Sequence, residues 1–129
     1  MIFRKKTKVD SNVGARAEQW AQHYLETQGL AIVANNYRCP RGEIDLIMRE
    51  KNTLIFVEVR LRSNKQFGSA ADSIDARKQQ HLIHAAQHYL QSKKLWDQVP
   101  CRFDAICLIK DPDNGNKYQV EWLRNAFST

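Results

Sequence analysis

Gly42-Glu43-Ile44-Asp45-Leu46-Ile47-Met48-Arg49-Glu50-Lys51-Asn52-Thr53-Leu54-Ile55-Phe56-Val57-Glu58-Val59-Arg60-Leu61-Arg62 is the stretch that decides the fold. Two apolar, alternating runs, Glu43–Arg49 and Thr53–Leu61, flank Lys51-Asn52, which reads as a tight turn between two strands. The second run, Leu-Ile-Phe-Val-Glu-Val, is apolar on both faces, as in a central strand covered from both sides. Side chains alternate along a strand, so Leu54, Phe56, Glu58 and Arg60 share one face. A carboxylate buried there without compensation is costly. A cation, a hydrogen-bond network or protonation has to offset it. Asp45 poses the same problem on the neighbouring strand, out of phase with Ile44, Leu46 and Met48. If both carboxylates project to one side they repel, and one titrates high. A divalent cation removes the conflict, and oxygen donors of this kind suit Mg²⁺ or Mn²⁺ rather than zinc. The competing possibility is a structural ion pair with Arg60 or Arg41.

Upstream, Val13, Ala17, Trp20, Ala21, Tyr24 and Leu25 recur at helical spacing, with Ser11 or Asn12 as a cap and Gly29 at the far end. Residues 1–12 are polar and basic and read as a flexible arm, either touching phosphates or without a role. Residues 13–129 read as a single domain. Leu30–Ala34 reads as a short strand and Asn35–Gly42, with Pro40, as a loop. Downstream, residues 62–72 read as a loop containing Gly68. A helix opened by Ser73 or Asp75 runs to about Lys93, with Leu82, Ile83, Ala86, Tyr89 and Leu90 as its apolar stripe. Strands follow at Arg102–Ile109 and Tyr118–Leu123, around a polar turn at Asp111–Asn116. The order is α-β-β-β-α-β-β, and the helix between two strands predicts a crossover and a mixed central sheet flanked by helices.

A chain of 129 residues fits one hydrophobic core. With 43% apolar and 26% charged residues the composition is that of a globular protein, which excludes disorder over most of the length. Lys and Arg outnumber Asp and Glu by 20 to 14, a surplus of +6 that favours a polyanionic partner. The three cysteines include no Cys-x-x-Cys pair, so neither a disulfide framework nor a structural zinc site is expected. No apolar run reaches the length of a membrane span. The opening Met-Ile-Phe-Arg-Lys-Lys lacks the apolar stretch of a secretory signal, and a cytoplasmic location is the expectation.

Other side chains extend the acidic constellation. Glu18 borders the buried stripe of the first helix, and reads either as a third carboxylate aimed at the sheet or as a solvated helix glutamate. Arg60, Arg62 and Lys65 follow Glu58 and suit a phosphodiester substrate. Lys78 and Gln79 continue an inward stripe yet are polar, so they either face a site or belong to a frayed first turn. His81, His84 and His88 fall on the opposite face of that helix, where solvated histidines are the simpler reading than a metal site. Trp20 and Tyr24 read as packing residues, with Trp96 and Trp122 as alternative stacking platforms. Asp104 reads equally as support for the site or as part of a structural salt bridge.

The helix glutamate, Gly42-Glu43-Ile44-Asp45-Leu46-Ile47, Phe56-Val57-Glu58-Val59-Arg60-Leu61-Arg62 and Arg77-Lys78-Gln79 together resemble the YraN-like family of bacterial proteins. That family is assigned to the PD-(D/E)XK, or restriction-endonuclease-like, superfamily, and its motif order is similar to that of archaeal Holliday junction resolvases. The resemblance runs from about Gly14 to Leu90, and Arg102-Phe103-Asp104 through Glu121-Trp122 adds to it. It implies a restriction-endonuclease-like α/β fold and a metal-dependent endonuclease acting on DNA, with branched or junction DNA as a substrate and a homodimer left open. By motif position it implies Glu18, Asp45 and Glu58 as catalytic and metal-binding carboxylates around Mg²⁺ or Mn²⁺. Gln79 or Lys78 takes an auxiliary polar role, and Arg41, Arg62, Lys65 and Lys78 are the basic contacts to nucleic acid. Arg60 stands where the superfamily usually has lysine. Arginine stays protonated and cannot act as a base, so its role is electrostatic, or else the site binds without cutting. The alternatives are therefore a non-catalytic nucleic-acid-binding module and an interaction protein that keeps only the fold.

Overall fold

The computed structural model describes residues 8–62, 74–111 and 113–128. Helix α1 spans Lys8–Thr27, followed by strands β1 (Ala31–Cys39), β2 (Gly42–Glu50) and β3 (Thr53–Arg62), helix α2 (Ala76–Ser92), and strands β4 (Cys101–Asp111) and β5 (Asn114–Phe127). The order α-β-β-β-α-β-β is the one read from the sequence. Helix α1 starts five residues before Val13, so Lys8–Asn12 continue the helix; residues 1–7 of the expected arm lie outside the described residues. No glycine or proline interrupts 8–13, which lets the helical turn run back past the expected caps. Gly29 adopts φ 98°, the left-handed conformation that closes α1 without a Cβ clash.

The five strands form one sheet in the order β1-β2-β3-β4-β5. β1–β2, β2–β3 and β4–β5 are antiparallel, and β3–β4, joined through α2, is parallel. The crossover therefore makes the sheet mixed. Lys51, at φ 54°, turns the β2–β3 hairpin between the paired Glu50 and Thr53.

Each face of the sheet is covered by one helix. On the α1 face, Ala17, Ala21 and Leu25 pack with Leu46, Met48, Ile55, Val57, Ile106 and Leu108. Trp20 stacks on Tyr24 at 5.8 Å between centroids, and Tyr118 and Trp122 approach their edges, so this aromatic group is packing. On the α2 face, Leu82, Ala85, Ala86 and Tyr89 pack with Ile47, Leu54, Phe56, Phe103 and Ala105. Phe56 and Val57, adjacent in β3, enter opposite cores, which is why that strand reads as one continuous apolar run.

The segment Asn35–Cys39, expected as loop, is strand. Tyr37, Arg38 and Cys39 pair with Ile44, Glu43 and Gly42, and the turn falls at Pro40-Arg41. The polar Asn35, Asn36 and Arg38 mislead because β1 is an edge strand, with one row of backbone groups unpaired in the sheet and its polar side chains facing out. A register shift between Ile32 and Ala34, and φ 52° at Asn36, twist it further from regular alternation. β5 likewise extends beyond Tyr118–Leu123 at both ends, again as an edge strand.

Gly42 fixes how the β1–β2 turn meets α2. A Cβ there would sit 2.1 Å from the His81 carbonyl oxygen, which belongs to helix backbone and cannot swing away. Gly42→Ala is expected to destabilise the fold by about 1–3 kcal/mol, measured by urea denaturation, and to push the turn off α2.

Candidate active site

Asp45 and Glu58 lie where β2 and β3 part. Their ladder runs from Glu50↔Thr53 to Leu46↔Val57 and stops one residue short of the two acids. Beyond that point the Asp45 side chain replaces a backbone acceptor: its Oδ2 receives the Val59 N–H at 2.9 Å. Just there Ile44 turns into the α2 core, while Leu46 and Met48 stay in the α1 core. Strict alternation puts these three on one face; the parting of the strands separates them.

Both carboxylates are buried, Asp45 at 8% and Glu58 at 3% exposure. They are close enough to act on each other as like charges. Two cations face Glu58 Oε2: Arg60 Nε at 3.2 Å and, from the first turn of α2, Lys78 Nζ at 3.4 Å. The Arg60 contact is an ion pair without the alignment of a hydrogen bond, and Glu58 Oε1 is buried with no hydrogen-bond donor among the described residues. The ion pair expected from sequence thus holds for one oxygen of Glu58 and leaves the other unaccounted for.

This environment pushes the Glu58 carboxyl from 4.5 up to about 8. Burial raises it most, the Asp45 charge raises it further, Lys78 and Arg60 oppose, and once protonated it can share its hydrogen with Asp45. The folded chain therefore holds a proton that the unfolded chain releases between pH 4.5 and about 8. Stability contributed by that proton is complete below the lower value and is lost as pH rises through the upper one. In metal-free buffer, wild type is expected to lose stability relative to Glu58→Gln across that window. Paired thermal melts at several pH values check it.

Arg60 and Lys78 stand at the acidic pair, whereas Gln79 turns to backbone and Glu18 borders a separate cavity. Glu18 is half-buried on α1 and borders a cavity of about 300 Å³ with Asn35, Asn36 and Leu46. Among the described residues no three His, Cys, Asp or Glu side chains converge as a metal cluster. The Gln79 amide donates to the Ile74 carbonyl at 3.1 Å and secures the entry to α2, whose N-cap is Asp75. Arg62 lies two residues past Arg60, and both guanidinium groups act on the Cys107 thiol in the adjacent strand. Lys65 lies outside the described residues. Arg41 and Lys78 both line a cavity of about 740 Å³ between the β1–β2 turn and α2. His81 and His84 line it as well, whereas His88 turns to the Tyr37 hydroxyl.

Asp104 belongs to a different assembly. Fully buried in β4, it accepts from Arg102 Nε at 3.0 Å, Trp122 Nε1 at 3.0 Å and the Asn125 N–H at 2.9 Å. Arg102 also reaches Glu50 at 3.3 Å. Every oxygen of Asp104 has a donor, so its role is to hold the irregular β4–β5 pairing.

A family model described as "Uncharacterised protein family UPF0102" matches residues 17–108. The chain belongs to this family. A UPF0102 protein of Nitrosomonas europaea is 50% identical over 116 residues, covering 90% of this chain and 93% of the relative. One of Methylobacillus flagellatus is also 50% identical, covering 90% and 96%, and one of Pseudomonas fluorescens is 47% identical, covering 90% and 92%. The UPF0102 match includes both buried carboxylates, Arg60 and Lys78, and ends in β4. Among the described residues no helix is long and apolar enough to cross a membrane.

Proposed function

We propose that this chain is a metal-dependent endonuclease of the PD-(D/E)XK type, hydrolysing phosphodiester bonds in DNA. The observation that carries the reading is the buried Asp45–Glu58 pair, one oxygen of which lacks a donor among the described residues while two cations stand beside it. The donor set fits a hard divalent cation. Mg²⁺ is commonly held by one or two carboxylates, with water and substrate phosphate completing the shell. Asp45 and Glu58 would hold it; Glu18 would at most reach it through water. When bound, the cation polarises a phosphate oxygen and acidifies a nearby water.

The protein's own groups supply the rest. The Val59 N–H fixes the Asp45 carboxylate, so its orientation is set before substrate arrives. Arg60, permanently charged and beside Glu58, stabilises negative charge that builds on the phosphate. Lys78 places a second cation, an ammonium, at the same oxygen from α2 rather than from β3. Arg62, two residues beyond Arg60 on β3, and Arg41, at the cavity, extend the basic surface on either side. Nothing in this set is shaped to read base edges, so sequence preference is weak. Branched DNA and a homodimer accompany the resolvase resemblance, and the free cysteines suit a cytoplasmic setting.

A second reading is a nucleic-acid-binding module that no longer cuts. The pairing of Glu58 Oε2 by two cations favours it, because such a carboxylate is partly neutralised without metal. Incubation of branched, single-stranded and duplex DNA with Mn²⁺, and with EDTA as control, separates the two. Cleavage that requires Mn²⁺ supports the nuclease. Salt-sensitive binding without cleavage supports the module. Failure to bind DNA at low salt would leave an interaction protein.

A further inference from the structure

The 740 Å³ cavity beside the carboxylate pair is lined by Arg38, Arg41, Arg77, Lys78, His81 and His84 among others. Two separated elements build it: the β1–β2 turn brings Arg38 and Arg41, and the first turns of α2 bring the remainder. The backbone contact of Gly42 with His81 holds these elements together. Arg38 has Glu43 at 3.9 Å, but neither Arg41 nor Arg77 has an ion pair among the described residues. Lys78 belongs to both places, lining the cavity while its Nζ lies 3.4 Å from Glu58. Lys78 thus links the cavity to the carboxylate pair.

We infer that this cleft holds a single unpaired DNA strand leading to or from the cleavage site, so that the substrate is DNA with a single-stranded segment. The inference rests on the nuclease reading and names its substrate class. Size supports it. A cavity of about 740 Å³ lies in the roughly 300–1,000 Å³ range that encloses small ligands, room for one or two nucleotides. A B-form duplex, whose major groove alone is about 12 Å wide, is too large to sit within the open cleft and can only lie across it. Composition supports it too. Guanidinium and imidazole groups combine positive or polar edges with flat faces, which suit phosphates and splayed bases at once.

The test is fluorescence anisotropy of the full chain in EDTA. The probes are a short single-stranded DNA, the single-stranded RNA of the same sequence, a blunt DNA duplex and the same duplex with a single-stranded DNA extension. Wild type is expected to bind the extended duplex about tenfold more tightly than the blunt one. The Arg38→Ala/Arg77→Ala variant changes two exposed side chains and should bring that ratio close to one. Its log–log salt slope for single strands should become shallower by about 0.7 for each phosphate that is no longer neutralised. Equal losses on blunt and extended duplexes, or no loss on either, would overturn the inference. Tighter binding of single-stranded RNA than of DNA would overturn the assignment to DNA. Because binding is read without metal, a protein that binds in this way yet never cuts contradicts the nuclease reading and leaves the cleft assignment standing.

Discussion

Asp45→Asn is expected to reduce Mn²⁺-dependent DNA cleavage by roughly a thousandfold or more, with Glu58→Gln close behind. Losing one preorganised stabilising group in an active site typically costs roughly 10²–10³ in rate. Here the change also weakens retention of the cation. The asparagine keeps an oxygen that can accept the Val59 N–H, so the local fold survives and the loss reports chemistry. Both variants should melt at or above the wild-type temperature in metal-free buffer. Removing one of two buried like charges relieves their repulsion, and Glu58→Gln also removes the carboxylate that burial pushes to about 8. Loss of activity together with unchanged or higher stability is the signature of a site built for a ligand. Measuring cleavage rates and melts on the same preparations provides both readouts.

Asp104→Ala should do the opposite. It removes the acceptor of Arg102, Trp122 Nε1 and the Asn125 N–H, all held around a carboxylate at 1% exposure. Arg102 keeps Glu50, but Trp122 Nε1 and the Asn125 N–H lose their acceptor together with the Arg102 pair, a combined cost of about 3–5 kcal/mol. For a domain of this size that corresponds to a fall in Tm of roughly 10–20 °C, readable by circular dichroism. Asp104 and Glu58 are both acids of central strands, but only Asp104 has all its oxygens satisfied. If the two substitutions shifted stability in the same direction and by similar amounts, the division between structural and functional acids would be wrong.

The part of this architecture carried by local pattern is legible in the sequence. The run Thr53–Arg62 announces a strand covered on both faces, and Phe56 and Val57 do enter opposite cores. The stripe Leu82, Ala86 and Tyr89 announces α2, and a helix between two strands announces the parallel crossover. The Asp45–Glu58 juxtaposition follows from a two-residue turn and the alternation of side chains. The edge strands are less legible, because Asn35, Asn36 and Arg38 need no apolar pattern where one side of the strand is open. The basic cleft is legible only in part: Arg41 and Lys78 are expected as basic contacts, but nothing in the sequence puts them in one cavity. Arg38 falls in a segment that reads as loop, Arg77 enters only as part of the Arg77-Lys78-Gln79 motif and without a role, and the histidines read as a solvated face. Only the close approach of Gly42 to the α2 backbone unites these groups, and no periodicity encodes a contact between a turn and a helix far apart in the chain. Glu18 shows the converse limit. Motif order places it with the other acids, while α1 sets it beside a separate cavity.

The most direct measurement is Mn²⁺ binding to the purified chain, followed by electron paramagnetic resonance of the free ion and read independently of any cleavage. If Asp45 and Glu58 form a metal site, one Mn²⁺ binds per chain. Its affinity should rise with pH up to about 8, as the proton on Glu58 ceases to compete, and should disappear in Asp45→Asn/Glu58→Gln. A folded double variant that binds Mn²⁺ as wild type does would contradict the assignment of the metal to these two carboxylates.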